Sequence, residues 1–428
     1  MKKTRFFYLK KVNVVLLILW IGLINEAITL NLHEKNTEKE KQNIANMPAE
    51  DIETEEKAEE IRLETELLKE DVKKIRVLLM DSDYQSYYHP EVSLRYNGKE
   101  EIYTMESEAL NNGELMIECD GEGICISSIK RQQGKPVYQG TIEIRKAEKG
   151  LLLINELPVE TYLESVVPSE MPASYEMEAL KAQAVCARTY AYKQMEKENL
   201  KSFGADVDDS VNYQVYGNVA AQERTSEAVR ETEDKVLLQE DELIEAYYFS
   251  TSSGKTSTNE IWGAVEAASY LQSVDCLFDA DENWSQWKVE IPWEKLVEHF
   301  EDFYISGELM QLQANKKNES GAVIELNVIT TEGNHVIKGE YEVRTFLSPE
   351  GLNITNYFEE TLKGGKILPS AYFDMEINAG ECVVLYGRGY GHGVGMSQNG
   401  ADEMAKQGYT WEEILKYFYK NVEIREYE

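Results

Sequence analysis

ELPVETYLESVVPSEMPASYEMEALKAQAVCARTYA, running from Glu156 to Ala191, is the stretch whose reading decides the fold. Pro158 suits a first helical position, so a short helix is expected over PVETYLESVV, delivering the chain to Pro168. A second and stronger helix starts near Ser174 and runs through YEMEALKAQAVCARTYAYKQMEKEN. Leu180, Ala184, Ala187 and Ala191 recur at steps of three to four residues, a narrow face of small side chains suited to close packing. Glu170 therefore falls in a loop just ahead of a buried helix.

Upstream, short β-like runs (IRVLLM from Ile75, then VSLRY, LMIECD, ICISSI, TIEIRKA and LLLINEL) are separated by Gly, Asn, Asp and Lys turns, which predicts a mostly antiparallel sheet. Downstream, Lys235 to Gln239 and Leu243 to Ser250 read as a hairpin turning at Glu240 and Asp241. The polar loop STSSGKTST follows and leads into IWG. From about residue 282 to 366 the pattern is less regular, with a helix candidate in WEKLVEHFEDF, and this segment reads as an inserted lobe. Strands return in DMEINAGECVVLYGRG, and a last helix, TWEEILKYFY, opens with Thr410 and Glu413 spaced as a capping box. The expected class is α+β: an antiparallel sheet region, a buried helix after the Glu170 loop and an inserted lobe, all within residues 74–428.

The N-terminus reads differently. Residues 1–11 carry Lys2, Lys3, Arg5, Lys10 and Lys11, and an apolar run follows from Val12, extendable over residues 12–30 to roughly the length a bilayer needs. No clean A-x-A site is present, which favours an uncleaved transmembrane anchor over a removed signal peptide. The positive-inside rule then places the rest of the chain outside a single-pass cell membrane. Residues 31–73 are dominated by Glu and Lys and have no core to bury, so they read as a charged stalk.

A net charge of -34 repels polyphosphate backbones, and no basic stripe offsets it, so a nucleic-acid partner is not expected. Polysaccharide, held by aromatic faces and neutral hydrogen bonds, is compatible with 26 tyrosines and 6 tryptophans. The five cysteines have scattered spacings and form neither a disulfide framework nor a zinc ribbon. Cys119 and Cys125 bracket the turn-like DGEGI, where a hairpin bridge stays open as an alternative.

From Gly387 to Gly395 glycines alternate with Arg388, Tyr390, His392 and Val394, allowing close approach of backbone to a ligand. The spacing is not a dinucleotide fingerprint, and no helix opens from it in register. Gly254, Lys255 and Thr256 end like a P-loop, but the earlier glycine would fall at Phe249. GMSQNG around Ser397 is one residue too long for a nucleophile elbow.

The segment from Glu156 to Ala191 and GRGYGHGVGMSQNGA, Gly387 to Ala401, together resemble the stage II sporulation protein D and LytB family. VNYQVYGN, the STSSGKTS loop and the final helix support the resemblance, which extends from about Lys74 to the C-terminus. It implies a lytic transglycosylase that cuts peptidoglycan glycan strands after stem peptides are removed, during spore engulfment, with the Glu of PSEMP as the acid. That position is Glu170. The resemblance further suggests a peptidoglycan amidase as partner, the companion protein P of the same sporulation stage, and no organic cofactor. Some members hold zinc through a His just before the Ser/Thr loop and nearby cysteines. Here Phe249 stands in that place and only Cys276 is near, so no metal is expected.

The chemistry asked of Glu170 fits its neighbours. Delivering a proton to a glycosidic oxygen requires a carboxyl whose pKa is raised, and Val166, Val167, Pro168, Met171 and Pro172 are apolar. Once ionised, the same carboxylate can take the proton of the sugar's own 6-hydroxyl, so a second carboxylate is not obligatory. Taken alone, a glutamate in a proline-flanked turn is ordinarily a surface residue. Glu160, Glu164, Asp208 and Asp209 read as solvated or structural. The expected cleft is lined by the Glu170 loop, by Ser250, Thr251 and Ser252, and by Arg388, Tyr390, His392, Ser397 and Gln398, with Gln214 and Tyr216 as further sugar contacts. The rival class is a non-catalytic glycan-binding enhancer of an amidase.

Overall fold

A computed structural model of the chain describes residues 72–118 and 121–427. The expected anchor at 12–30, nearly all of the stalk and Cys119 lie outside the described residues. Among those described, no helix is long and apolar enough to cross a membrane.

The runs upstream of Glu156 pair as their alternation requires. Lys74–Leu78 lies antiparallel to Gly150–Pro158, with Lys74 opposite Pro158 and Leu78 opposite Ile154. Thr141–Ala147 and Glu114–Glu118 extend this sheet on one side, and the short strand Val207–Asp208 joins it in parallel on the other. Gly150–Pro158 is central and covered on both faces. Leu151 and Leu153 enter one apolar cluster while Leu152 and Ile154 enter another, the period-two alternation of a strand.

Helix α1, Val159–Glu170, begins where that strand ends, and Val159 N–H donates to the Lys73 carbonyl at 3.1 Å. Val159, Tyr162, Leu163, Val166 and Val167 are buried, the spacing of a single apolar stripe. The expected helix ends before Pro168 and leaves Glu170 in a loop, but Pro168 lies inside the last turn and the helix continues to Glu170. Only the bond a residue-168 N–H would have made is lost, which a terminal turn tolerates. Glu170 is accordingly the last helical residue and not a loop residue.

Helix α2, Met177–Met195, starts three residues later than the sequence pattern predicts, because a turn closed by Tyr175 N–H on the Pro172 carbonyl comes first. Leu180, Ala184, Ala187 and Ala191 are fully buried, and so are Gln183, Arg188 and Thr189, so the helix is enclosed on most sides. Arg188 anchors it. Its guanidinium makes a bidentate pair with Glu160 at 2.6 and 2.7 Å and donates to the carbonyls of Lys235 and Val229. Four elements thereby share one buried cation: α1, α2, the strand Lys235–Gln239 and helix α3, Glu223–Glu231.

The predicted hairpin turns at Glu240 and Asp241, whose φ of 51° and 68° are those of a tight primed turn. Its second strand is only Glu242–Leu243; Tyr248–Phe249 leaves the hairpin and pairs in parallel with Met396–Ser397. That parallel pair brings the Ser/Thr loop against the glycine-rich segment.

The region expected as an inserted lobe is strand-rich. Trp287–Pro292, Asn353–Asn356, Thr361–Lys363, Phe373–Asn378 and Cys382–Gly387 form one antiparallel sheet, and Leu309–Lys317, Val323–Thr330 and Gly333–Lys338 form a second. The core these sheets share includes Trp287, Phe300, Phe346 and Leu385, so it reaches past residue 366. Helix α4 is confined to Trp293–Val297, shorter than WEKLVEHFEDF suggested, and helix α5 spans Glu340–Phe346. Helix α6, Gln398–Lys406, starts at an N-cap supplied by Ser397, and helix α7, Trp411–Phe418, carries the complete Thr410–Glu413 capping box.

Candidate active site

Glu170 is half-buried at the floor of a cleft of about 480 Å³. Two features govern its carboxyl. Its position at the C-terminal end of α1 sets a negative charge against the negative pole of the helix dipole. Burial is the largest cause lifting its pKa to about 7, opposed by a bond from the Val215 N–H and another from the Tyr248 hydroxyl. The Val215 N–H reaches Oε1 at 2.7 Å. A carboxyl so placed carries a proton over part of the neutral range while keeping its geometry fixed.

Tyr248 is oriented in turn from behind. Gln214 Nε2 donates to the Tyr248 oxygen at 3.1 Å and to the Ala187 carbonyl at 3.3 Å, while Gln214 Oε1 accepts from Tyr162 at 3.2 Å. With its oxygen engaged by an amide donor, the Tyr248 hydroxyl has its proton to give to Glu170. The chain Tyr162, Gln214, Tyr248, Glu170 fixes both rotamer and proton direction. Gln398 Nε2 also donates to the Glu170 carbonyl at 3.2 Å and to Gln183 at 3.3 Å, tying the start of α6 to the end of α1.

His392 lines the same cleft, but as a neutral ring. Its Nδ1 accepts from the Val394 N–H at 3.1 Å, and the ring also bonds the Tyr248 backbone. This arrangement requires the proton on Nε2. Burial and the Arg344 charge lower its pKa to about 3, so it stays uncharged. Its ring stands edge-on to Trp262, at 5.1 Å between centroids, and Trp262 in turn meets Tyr247 at 4.9 Å. Trp262 and Tyr390 are each about two-fifths exposed, which leaves aromatic faces open to the cleft.

Of the residues expected to contact a ligand, Glu170, Ser250, Tyr390, His392 and Gln398 come together in this cleft. Gln214 stands behind it and acts only through Tyr248. Tyr216 is buried, donates to Asn155 at 2.7 Å and packs on Tyr162, so its hydroxyl does not reach the cleft. Thr251 is buried and accepts from Asn399 at 2.8 Å, and Ser397 caps α6. Ser252 and Arg388 face a second cleft. Asp208 and Asp209 are buried structural acids: the first accepts from Ser210 and Tyr87, the second from the Met80 N–H and Arg131.

A profile of the family described as Stage II sporulation protein (SpoIID) matches residues 147–238. Stage II sporulation protein D of Bacillus subtilis (strain 168) is 33% identical over 292 residues, which is 64% of this chain and 76% of that protein. The chain belongs to the SpoIID family. Stage II sporulation protein D of Bacillus amyloliquefaciens is 31% identical with the same coverage. An amidase enhancer of Bacillus subtilis is 29% identical over 62% of this chain and 40% of its own length.

In this member of the SpoIID family, the Ser/Thr loop is secured by a residue that the sequence did not single out. Asp279, buried, accepts the Ser252 N–H, the Ser252 hydroxyl and the Ser397 hydroxyl, each at 2.6 Å. Cys276 Sγ lies 3.7 Å from the same carboxylate, and burial lifts its thiol to about 12. A zinc ion held by a residue just before the Ser/Thr loop and by nearby cysteines does not fit. Phe249 offers no donor, Cys276 is protonated against Asp279, and among the described residues no three His, Cys, Asp or Glu side chains converge as ligands. Tyr190, Tyr247, Tyr248 and Trp262 were also missed; for the last three the aromatic density of AYYFS and IWG beside the Ser/Thr loop was the available signal.

Proposed function

We propose that this protein is a membrane-anchored lytic transglycosylase that cleaves peptidoglycan glycan strands outside the cell membrane, with Glu170 as general acid and then general base. One observation carries the reading: Glu170 is the sole carboxylate among the residues lining its cleft. A hydrolase of either stereochemistry uses two carboxyl groups flanking the bond, whereas an internal nucleophile needs one.

In the first step the Glu170 carboxyl gives its proton to the glycosidic oxygen, and the C1–O bond breaks as positive charge develops at C1. In the second, the 6-hydroxyl of that sugar attacks C1, and the carboxylate takes the hydroxyl proton. The product is an anhydro-ended strand, Glu170 is protonated again, and water is not consumed. The bonds from Val215 and Tyr248 steady the carboxylate between its two roles. Trp262, Tyr390 and the neutral ring of His392 supply apolar faces against which sugar rings stack.

Incubating the full-length chain in mild detergent with peptide-stripped glycan, beside its Glu170→Gln variant, tests this. Anhydro-ended fragments from the parent alone are the expected result by mass spectrometry. The amidase enhancer relative favours a second reading, in which the cleft binds glycan and stimulates a partner amidase. Stimulation by both proteins without cleavage by either would establish that reading in place of the first.

A further inference from the structure

A second cleft, of about 590 Å³, opens on the other side of the Glu170 cleft's rim. The rim is the bridge between Thr251 and Tyr390, whose backbones exchange hydrogen bonds of 3.1 and 2.9 Å. Trp284 packs on Tyr390 at 5.0 Å and stiffens that ridge. The same two segments line both clefts: Ser250 and Tyr390 face the first, Ser252 and Arg388 the second. Arg388 and Tyr390 are two residues apart, so the clefts follow one another within about 7 Å of chain.

The second cleft has a different charge. In a chain of net charge -34, its lining carries two cations, Lys288 and Arg388, against one carboxylate, Asp374. Arg388 touches Asp374 only loosely, at 3.8 Å, with both side chains more than half exposed. Such a pair holds little energy and gives way to a better anion. Lys288 lies over the Tyr386 ring at 5.2 Å, and Tyr386 and Tyr357 present partly exposed faces. A planar cation fork beside open aromatic faces matches a ligand with a sugar ring and a carboxylate.

We propose that the second cleft is a subsite for a sugar unit bearing a free carboxylate, an N-acetylmuramic acid stripped of its peptide, on the strand whose reacting bond lies at Glu170. The inference rests on the glycan reading of the Glu170 cleft and adds a reason for selecting stripped strands. Peptide attachment converts that carboxylate to an amide and removes the charge Arg388 would pair with. Lys288 acts as a second, more diffuse cation.

The test uses the full-length chain carrying Glu170→Gln, so that binding is read without turnover. Two sets of peptide-free glycan oligomers are titrated calorimetrically, one with the lactyl carboxylate intact and one with it reduced to the alcohol. The intact set should bind about fivefold more tightly at low salt, and the margin should shrink as salt rises. Adding Arg388→Ala should bring the two sets within about twofold, chiefly by weakening the intact set. Arg388→Lys should keep part of the margin, and thermal midpoints should stay put because Arg388 is half exposed. Glycan binding with no preference between the sets, or a preference that survives Arg388→Ala, overturns the subsite and leaves the glycan reading standing. No binding of either set overturns both.

Discussion

Asp279 Oδ2 accepts the Ser397 hydroxyl at 2.6 Å across 118 residues of sequence, joining the segment after the Ser/Thr loop to the N-cap of α6. The same oxygen takes the Ser252 N–H, and its twin takes the Ser252 hydroxyl, so one carboxylate fastens both walls of the Glu170 cleft. Ser252 also donates to the Cys276 carbonyl at 2.8 Å, and Ser397 has an alternative acceptor in the Ser250 carbonyl.

That redundancy ranks the substitutions at Asp279. Asparagine with its oxygen in the place of Oδ2 keeps an acceptor for the Ser252 N–H, the one donor that cannot reverse, and for the Ser397 hydroxyl, while the Ser252 hydroxyl can turn to accept from its amide. Asp279→Asn should cost about 1 kcal/mol. Asp279→Leu leaves the Ser252 N–H without an acceptor, makes both hydroxyls fall back on the Cys276 and Ser250 carbonyls, and should cost about 3 kcal/mol. Urea midpoints of the two variants against the parent check the order, and equal losses would show that the carboxylate is not the fastener.

The titration of Glu170 has a sign that stability measurements can read. Its folded pKa, about 7, lies above its ordinary value of 4.5. The protonated form is therefore the one the fold favours: its contribution is fully present below pH 4.5 and is lost as pH rises through 7. Glu170→Gln, which can still accept from the Val215 N–H, should match the parent near pH 4.5 and exceed it above pH 8 by no more than about 3 kcal/mol. Chemical denaturation of both proteins across that range gives the difference directly. A difference that is flat with pH would place the Glu170 carboxyl in an ordinary environment.

The backbone pattern was most legible where one periodicity ran unbroken. The strands before Glu156 and the helix built on Leu180, Ala184, Ala187 and Ala191 were readable because each side chain's neighbours repeat. The lobe was not, since Leu309–Lys317 shifts register against Val323–Thr330 at several points and its alternation fails with each shift. The helix expected over PVETYLESVV stops short of Pro168, and a proline does disfavour the helical region for the residue before it. In the last turn that cost is small enough for α1 to continue to Glu170. In the site, Gln214 and Tyr216 attracted notice as polar residues in VNYQVYGN, yet what that segment offers the cleft is the backbone N–H between them, at Val215. No side-chain pattern announces a backbone donor. Asp279 and Tyr248 were hidden for a related reason: their partners lie far away in sequence.

Tyr248 is the donor that favours ionised Glu170, so its removal has a predictable direction. Tyr248→Phe deletes the hydroxyl, while Gln214 keeps its bond to the Ala187 carbonyl. The Glu170 pKa should rise further, by about one unit or less. If Glu170 cuts glycan as proposed, the alkaline limb of the pH–rate profile should move up with it, and carboxyl NMR of Glu170 should show the same shift. A limb that moves down, or a shift in one measurement without the other, would detach Tyr248 from the acid.

The glycines of GRGYGHGVGMSQ differ in what confines them, and Gly395 is the most confined. It has φ of +83°, and a Cβ there would sit 1.9 Å from the Tyr247 carbonyl oxygen, a backbone atom with no freedom to retreat. Tyr247 in turn accepts from the Met396 N–H at 3.1 Å, beside the parallel pairing of Tyr248 with Met396. Gly395→Ala must therefore push Tyr247–Phe249 away from Met396–Ser397, opening the cleft wall next to Glu170. Gly408 is the control: its φ is +92°, but nothing lies within 4 Å of the Cβ position. Gly408→Ala should cost about 1–2 kcal/mol, the left-handed conformation alone. Gly395→Ala should lose at least about 2 kcal/mol more, since a clash with backbone is added to the same conformational cost. Thermal or urea unfolding of the two variants separates the contributions, and equal losses would mean that strand Tyr248–Phe249 yields without resistance.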